Sequence, residues 1–143
     1  MKRWSLLAAP ALVVGLAAFS RPAEAPEPAP ATIRIRMIQQ GARYLFEPAN
    51  FTVRPGDVVE FVNVSGFPHN VQFDPAKVPQ GAREWLMRAM TNRMGNTLGS
   101  QMMTRANEVY RITFTGAPTG TYDYFCLPHQ ALGMKGVLTV AAR

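Results

Sequence analysis

The chain has 143 residues, 48% of them hydrophobic and 17% charged, enough apolar material for one packed domain and too little length for two ordinary ones. Its net charge of +6 is scattered, with no dense Lys/Arg block and no basic-aromatic interleaving, which argues against a nucleic-acid partner. A single cysteine, Cys126, excludes an internal disulfide, so the fold is not a stapled secreted scaffold.

Lys2 and Arg3 open the chain, and Leu6 to Phe19 is an apolar or small-residue run of 14 residues. That is short of the roughly 20 needed to span a bilayer. Ala23-Glu24-Ala25 has the spacing of a cleavage site, so residues 1–25 read as a secretory signal peptide. Pro26 would hinder a cut directly after Ala25, which leaves the cut anywhere between 20 and 25. The expected location is therefore periplasmic or extracellular, with membrane tethering as the rival if the segment is retained. No cysteine lies near the cut, which excludes a lipid-anchored form. Removing residues 1–25 leaves 12 basic against 8 acidic side chains, a mild bias toward acidic partners. Residues 26–31 continue a proline-rich stretch and read as an extended linker, with the domain occupying 32–143.

From Thr32 onward, Ile33, Ile35 and Met37 alternate with Arg34 and Arg36, the period of a half-buried strand. Tyr44–Phe46 and Phe51–Val53 are short strand candidates. Arg54-Pro55-Gly56-Asp57 predicts a type II turn, because proline presets φ and glycine accepts a positive φ at the third position. Val58–Val64 and Val71–Phe73 follow as strands. Asn107–Thr115 alternates again, with Tyr110, Ile112 and Phe114 on one face. Gly120–Phe125 and Gly136–Ala141 complete seven or eight short strands, which predicts an all-β Greek-key sandwich. The exception is a helical insertion near 82–94, where Leu86, Met90 and Met94 recur four apart. Its methionines at 87, 90, 94, 102 and 103 read as packing material in an irregular core, ahead of a second metal site or a partner surface.

Chemistry concentrates in Cys126–Met134. The order Cys126-x2-His129-x4-Met134 puts a thiolate, an imidazole and a thioether within nine residues, on a loop between two predicted strands. Sulfur and nitrogen donors favour a soft or borderline ion such as copper over magnesium or calcium. The fourth donor has to come from elsewhere, and His69 is the other histidine of the chain. A buried apolar thiol, or a Cys-His nucleophile pair, are the competing readings of Cys126. The second lacks an orienting acid nearby.

Gly66-Phe67-Pro68-His69-Asn70-Val71 together with the Cys126–Met134 loop resembles the cupredoxins, the type 1 blue-copper family, and within them the plastocyanins. Phe51–Asn63 resembles the strand-turn-strand ahead of the first ligand, and the likeness spans about residues 32–142. It implies a cupredoxin-like β-sandwich with one type 1 copper ion. His69 and His129 would give neutral ring nitrogens, Cys126 a thiolate and Met134 a long axial bond. Asn70 would tie the two ligand loops together. One edge of His129 would reach the surface within an apolar docking patch of Phe67, Pro68, Pro128, Leu132 and Gly133. The implied activity is single-electron shuttling, without enzymatic turnover or a small-molecule substrate. The protein would act as a monomer with transient redox partners, membrane-bound ones included. The rival reading is a copper-binding module for delivery or storage. One departure is Phe125, where many plastocyanins carry a tyrosine beside acidic residues. Acidic-patch docking and a photosynthetic role are therefore not expected to follow from the resemblance.

Overall fold

Alternation along the first strand sets the layers. In β1 (Thr32–Gln40), Ile35 and Met37 are fully buried while Arg34 and Arg36 face solvent. Residues 29–142 are described by the computed structural model; the predicted signal peptide and residues 26–28 of the linker lie outside them. Seven more strands follow: β2 (Arg43–Glu47), β3 (Asn50–Val53), β4 (Val58–Asn63), β5 (Gln72–Phe73), β6 (Val109–Thr113), β7 (Gly120–Phe125) and β8 (Lys135–Val140). They form two four-stranded sheets, ordered β2-β1-β4-β6 and β3-β8-β7-β5. Each sheet contains one parallel pairing, β1 with β4 and β3 with β8, among antiparallel neighbours.

The inner faces meet in a core that includes Ile35, Met37, Val59, Phe61 and Ile112 from one sheet and Phe73, Tyr122, Tyr124 and Leu138 from the other. Tyr124 sits at its centre, edge-on to Phe46 at 4.8 Å and to Phe61 at 5.7 Å between ring centroids. Its hydroxyl donates to Ala49 O at 2.7 Å, across Gly136. A Cβ at Gly136 would lie 2.1 Å from that carbonyl, so only glycine lets β8 pass there. The predicted turn forms as expected: Gly56 has φ 102, and Asp57 N donates to Arg54 O at 3.0 Å.

The helical insertion is shorter than its periodicity suggests. Helix α1 covers Ala82–Ala89, with Ala82, Trp85 and Leu86 buried. Glu84 in its first turn and Arg88 in its last suit the helix dipole. Trp85 donates its indole N–H to Thr115 O at 3.0 Å. The expectation of helix to residue 94 is corrected here. Met90 turns extended to bury its side chain, Tyr110 donates to Thr91 O at 2.7 Å, and Asn92 takes φ 48. Core packing and a captured carbonyl outweigh weak helix propensity at Thr91 and Asn92. The chain then returns along the open edge of β5, where Phe73 N donates to Leu98 O at 2.9 Å and Ser100 N to Val71 O at 2.9 Å. An edge that would otherwise be unpaired is thereby covered.

On the outer face of the first sheet, Arg34, Glu60 and Arg111 lie in register across β1, β4 and β6. Arg111 Nε donates to Glu60 at 2.7 Å and Arg34 Nη2 at 2.8 Å. The Arg111 and Arg34 guanidinium groups hold the Glu60 carboxyl below its usual range. An unfolded chain therefore takes up the Glu60 proton before the folded one does, so this contribution is present above the ordinary glutamate pKa and is lost as pH falls from there through the lower folded-state value. Both arginines are more than half exposed, so solvent screens the pairs. Between about pH 6 and about pH 3, the urea midpoint of the wild type is expected to fall more than that of Glu60→Gln. Equal falls would refute this role for the array.

Candidate metal centre

The first donor comes from the loop that carries the chain from β4 in one sheet to β5 in the other. Asn63 organises it. Asn63 Nδ2 donates to Phe67 O at 2.8 Å and Met103 O at 3.1 Å, while Oδ1 accepts from Gly66 N at 3.0 Å. These bonds replace the ladder partners that the loop backbone has left behind. Gly66 supplies the reversal with φ 73. His69 is then clamped through its backbone: His69 N donates to Met103 O at 3.0 Å, and Met103 N to His69 O at 2.8 Å. The methionine-rich insertion thus packs, with Met90 and Met103 buried, and at the same time holds the first donor loop. Met87 Sδ lies 3.2 Å from Arg93 Nη1, a cationic neighbour unsuited to a metal ligand.

The other donors sit at the end of β7. Cys126 precedes a 3-10 helix over Leu127–Leu132, with Pro128 in its first turn. Gly133 closes the helix at φ 86, a conformation that side chains disfavour. His129 N donates to Cys126 O at 3.1 Å, Met134 N to His129 O at 3.2 Å, and Cys126 N to Met134 O at 3.1 Å. The spacing of the motif is therefore the length of one hydrogen-bonded loop. Asn70 joins the two loops, because Leu127 N donates to Asn70 Oδ1 at 2.7 Å.

Cys126 Sγ lies 3.6 Å from His69 Nδ1 and 3.5 Å from His129 Nδ1, and the three donor atoms fall within 4.8 Å of one another. Such separations suit donors sharing one ion at about 2.0 Å from nitrogen and about 2.3 Å from sulfur. Cys126, His69 and Met134 are fully buried. Burial, then the neighbouring His129, pulls His69 down to about 4, and burial also lowers His129. Burial pushes the Cys126 thiol up, against the opposing backbone N–H groups of Asn70 and His129. The pocket therefore keeps its imidazoles neutral and makes a bare thiolate costly, a combination that a bound cation relieves by replacing the thiol proton.

Three neighbours carry no mark in the sequence. Tyr44, at the start of β2, stacks on the His129 ring with centroids 3.7 Å apart and planes within 5°. It also meets Phe67 and His69 edge-on at 6.1 Å. Ser65 Oγ lies 2.9 Å from His69 Nε2. Asn63, described above, is the third. Under the Tyr44 stack, His129 is 9% exposed, a narrow edge. Around it Phe67, Pro68, Pro128, Leu132 and Gly133 are all exposed, and Leu127 extends this apolar surface.

A Greek-key-like sandwich of two four-stranded sheets, with a buried His-Cys-His group at one pole, defines a cupredoxin. Residues 34–141 match the family described as copper binding proteins, plastocyanin/azurin family. The plastocyanin of Scenedesmus fuscus is 36% identical over 108 residues, covering 76% of this chain and 98% of that protein. The plastocyanin of Nostoc punctiforme is 34% identical, covering 76% of this chain and 73% of that protein. The oxidized plastocyanin of Dryopteris crassirhizoma superposes with a TM-score of 0.60 at 28% identity, over 76% of this chain and 99% of that one. The chain belongs to the plastocyanin/azurin family of copper-binding proteins. It is a type 1 copper electron-transfer protein, an electron carrier and not an enzyme.

Truncating Asn70 to alanine strands the Leu127 N–H, which nothing else in the loop reaches. Asn70→Ala is expected to cost the metal-free protein about 1–3 kcal/mol, read from urea unfolding. A loss below about 0.5 kcal/mol would show that the bond is dispensable.

Proposed function

We propose that His69, Cys126 and His129 are the strong copper ligands and Met134 the weak axial one, in an exported carrier whose domain spans residues 32–143. The observation that supports this most is the meeting of three buried donors within 4.8 Å, drawn from two loops that a buried asparagine joins. Met134 is supported by its full burial and by backbone bonds to both Cys126 and His129. When bound there, copper supplies a one-electron Cu(I)/Cu(II) couple. The chain's own part is to exclude water and to hold the donors so that little moves when an electron arrives. A site filled by protein donors has no open position for substrate, which suits a carrier.

The electron route we infer runs through the narrow edge of His129, framed by Phe67, Pro68, Pro128, Leu132 and Gly133. An exposed apolar patch suits a brief encounter with a redox protein. Charge favours an acidic partner. Among the described residues Glu47, Glu60, Glu108 and Asp123 form ion pairs with cations and Asp57, Asp74 and Glu84 do not, while Arg43 and Lys135 form none within 4.0 Å. Those two flank Tyr44 and Met134 in the chain. Beside Phe125, the groove lined by Asp74, Lys77, Asp123 and Lys135 is charge-balanced, which does not support an acidic second docking site. Removal of residues 1–25 on export rests on the sequence alone.

The copper-loaded protein is expected to be intensely coloured and to cycle reversibly with one electron. A colourless protein that binds and releases Cu(I) would overturn the ligand assignment. Leu132→Glu is expected to slow electron exchange with a physiological partner about tenfold or more, by placing an unpaired charge in the patch, while the potential stays unchanged. An unchanged rate would remove the patch from the route.

A further inference from the structure

The two imidazoles are held in different ways. His129 is steadied by the Tyr44 ring. His69 turns Nδ1 toward Cys126 Sγ at 3.6 Å and has its far nitrogen, Nε2, 2.9 Å from Ser65 Oγ. With Nδ1 free to bind a metal, the ring proton resides on Nε2, so Nε2–H donates and Ser65 Oγ accepts. The hydroxyl is itself oriented. It donates a long bond to Asn63 Oδ1 at 3.5 Å and receives Phe67 N–H at 3.4 Å. Asn63 is fully buried and fixed by its bonds to Phe67 O, Met103 O and Gly66 N. A chain of bonds thus runs from the buried Asn63 through Ser65 to the outer nitrogen of His69.

We propose that Ser65 is a positioning residue that helps set the reduction potential. By accepting the Nε2 proton it fixes the His69 tautomer and ring orientation, and it makes Nδ1 a stronger donor. A stronger nitrogen donor favours Cu(II) over Cu(I) and so lowers the potential. The inference rests on His69 being a copper ligand, as proposed above.

Ser65→Ala is expected to lose about tenfold in Cu(II) affinity relative to Cu(I), a rise of about 59 mV for one electron. Ser65→Thr, which keeps a hydroxyl, is expected to stay near the wild-type potential. In the diamagnetic Cu(I) wild type, the His69 Nε2–H proton should give a resonance protected from solvent exchange, a readout that needs no variant. An unmoved potential in Ser65→Ala, an equal rise in Ser65→Thr, or a freely exchanging Nε2–H in the wild type would each overturn the role of Ser65. A wild-type protein without the blue chromophore would instead overturn the copper assignment beneath it.

Discussion

The hydrogen bond from the Leu127 amide to Asn70 Oδ1, 2.7 Å long, is the contact on which the centre depends. One loop crosses between the sheets and carries His69. The other stays within a single sheet and carries Cys126, His129 and Met134. Each loop fixes its own side chains through backbone bonds, but a bond between the loops is needed to fix one set relative to the other. Asn70 lies next to His69, and Leu127 next to Cys126, so a single bond sets the separation of a nitrogen and a sulfur. The surrounding bonds, Met103 to His69 and Met134 to Cys126, then remove the remaining freedom of each loop.

This arrangement explains why the pocket suits a carrier. Its neutral imidazoles and costly thiolate are compatible with a bound cation in either of two charge states, since the donors are fixed by backbone bonds that do not depend on the ion. The expense of keeping polar groups buried is met by making nearly all of them hydrogen-bonded. What the chain contributes is rigidity under low dielectric, with the sandwich as the frame.

Much of this was legible in the chain itself. Period-two alternation located β1 and β6 because each buries one face against the core, and the Cys126–Met134 spacing was readable because one local loop uses every residue of it. The end of α1 was not legible. Met90 fits helical spacing, yet its side chain reaches the core in an extended conformation, and the hydroxyl that captures the Thr91 carbonyl belongs to Tyr110 in a distant strand. Tyr44 read as one more aromatic in a short strand, since its partner His129 is far away in sequence. Ser65 went unremarked although it is only four positions from His69, because no spacing rule marks a loop hydroxyl as the partner of a ring nitrogen.

The Tyr44 stack has a consequence for how such a protein can diverge. Tyr44 opposes Gln39 across the β1–β2 hairpin, whose turn is only Gly41 and Ala42 beyond the Gln40–Arg43 pair. Adding or deleting one residue in that turn would send the tyrosine to the opposite face of the sheet and uncover the His129 ring. The stretch between β5 and β6, by contrast, runs through a helix and loop and meets the centre at its far end, where Ser100 and Met103 bond to Asn70, Val71, Asn63 and His69. In this chain an inserted residue is therefore better tolerated between β5 and β6 than in the β1–β2 hairpin.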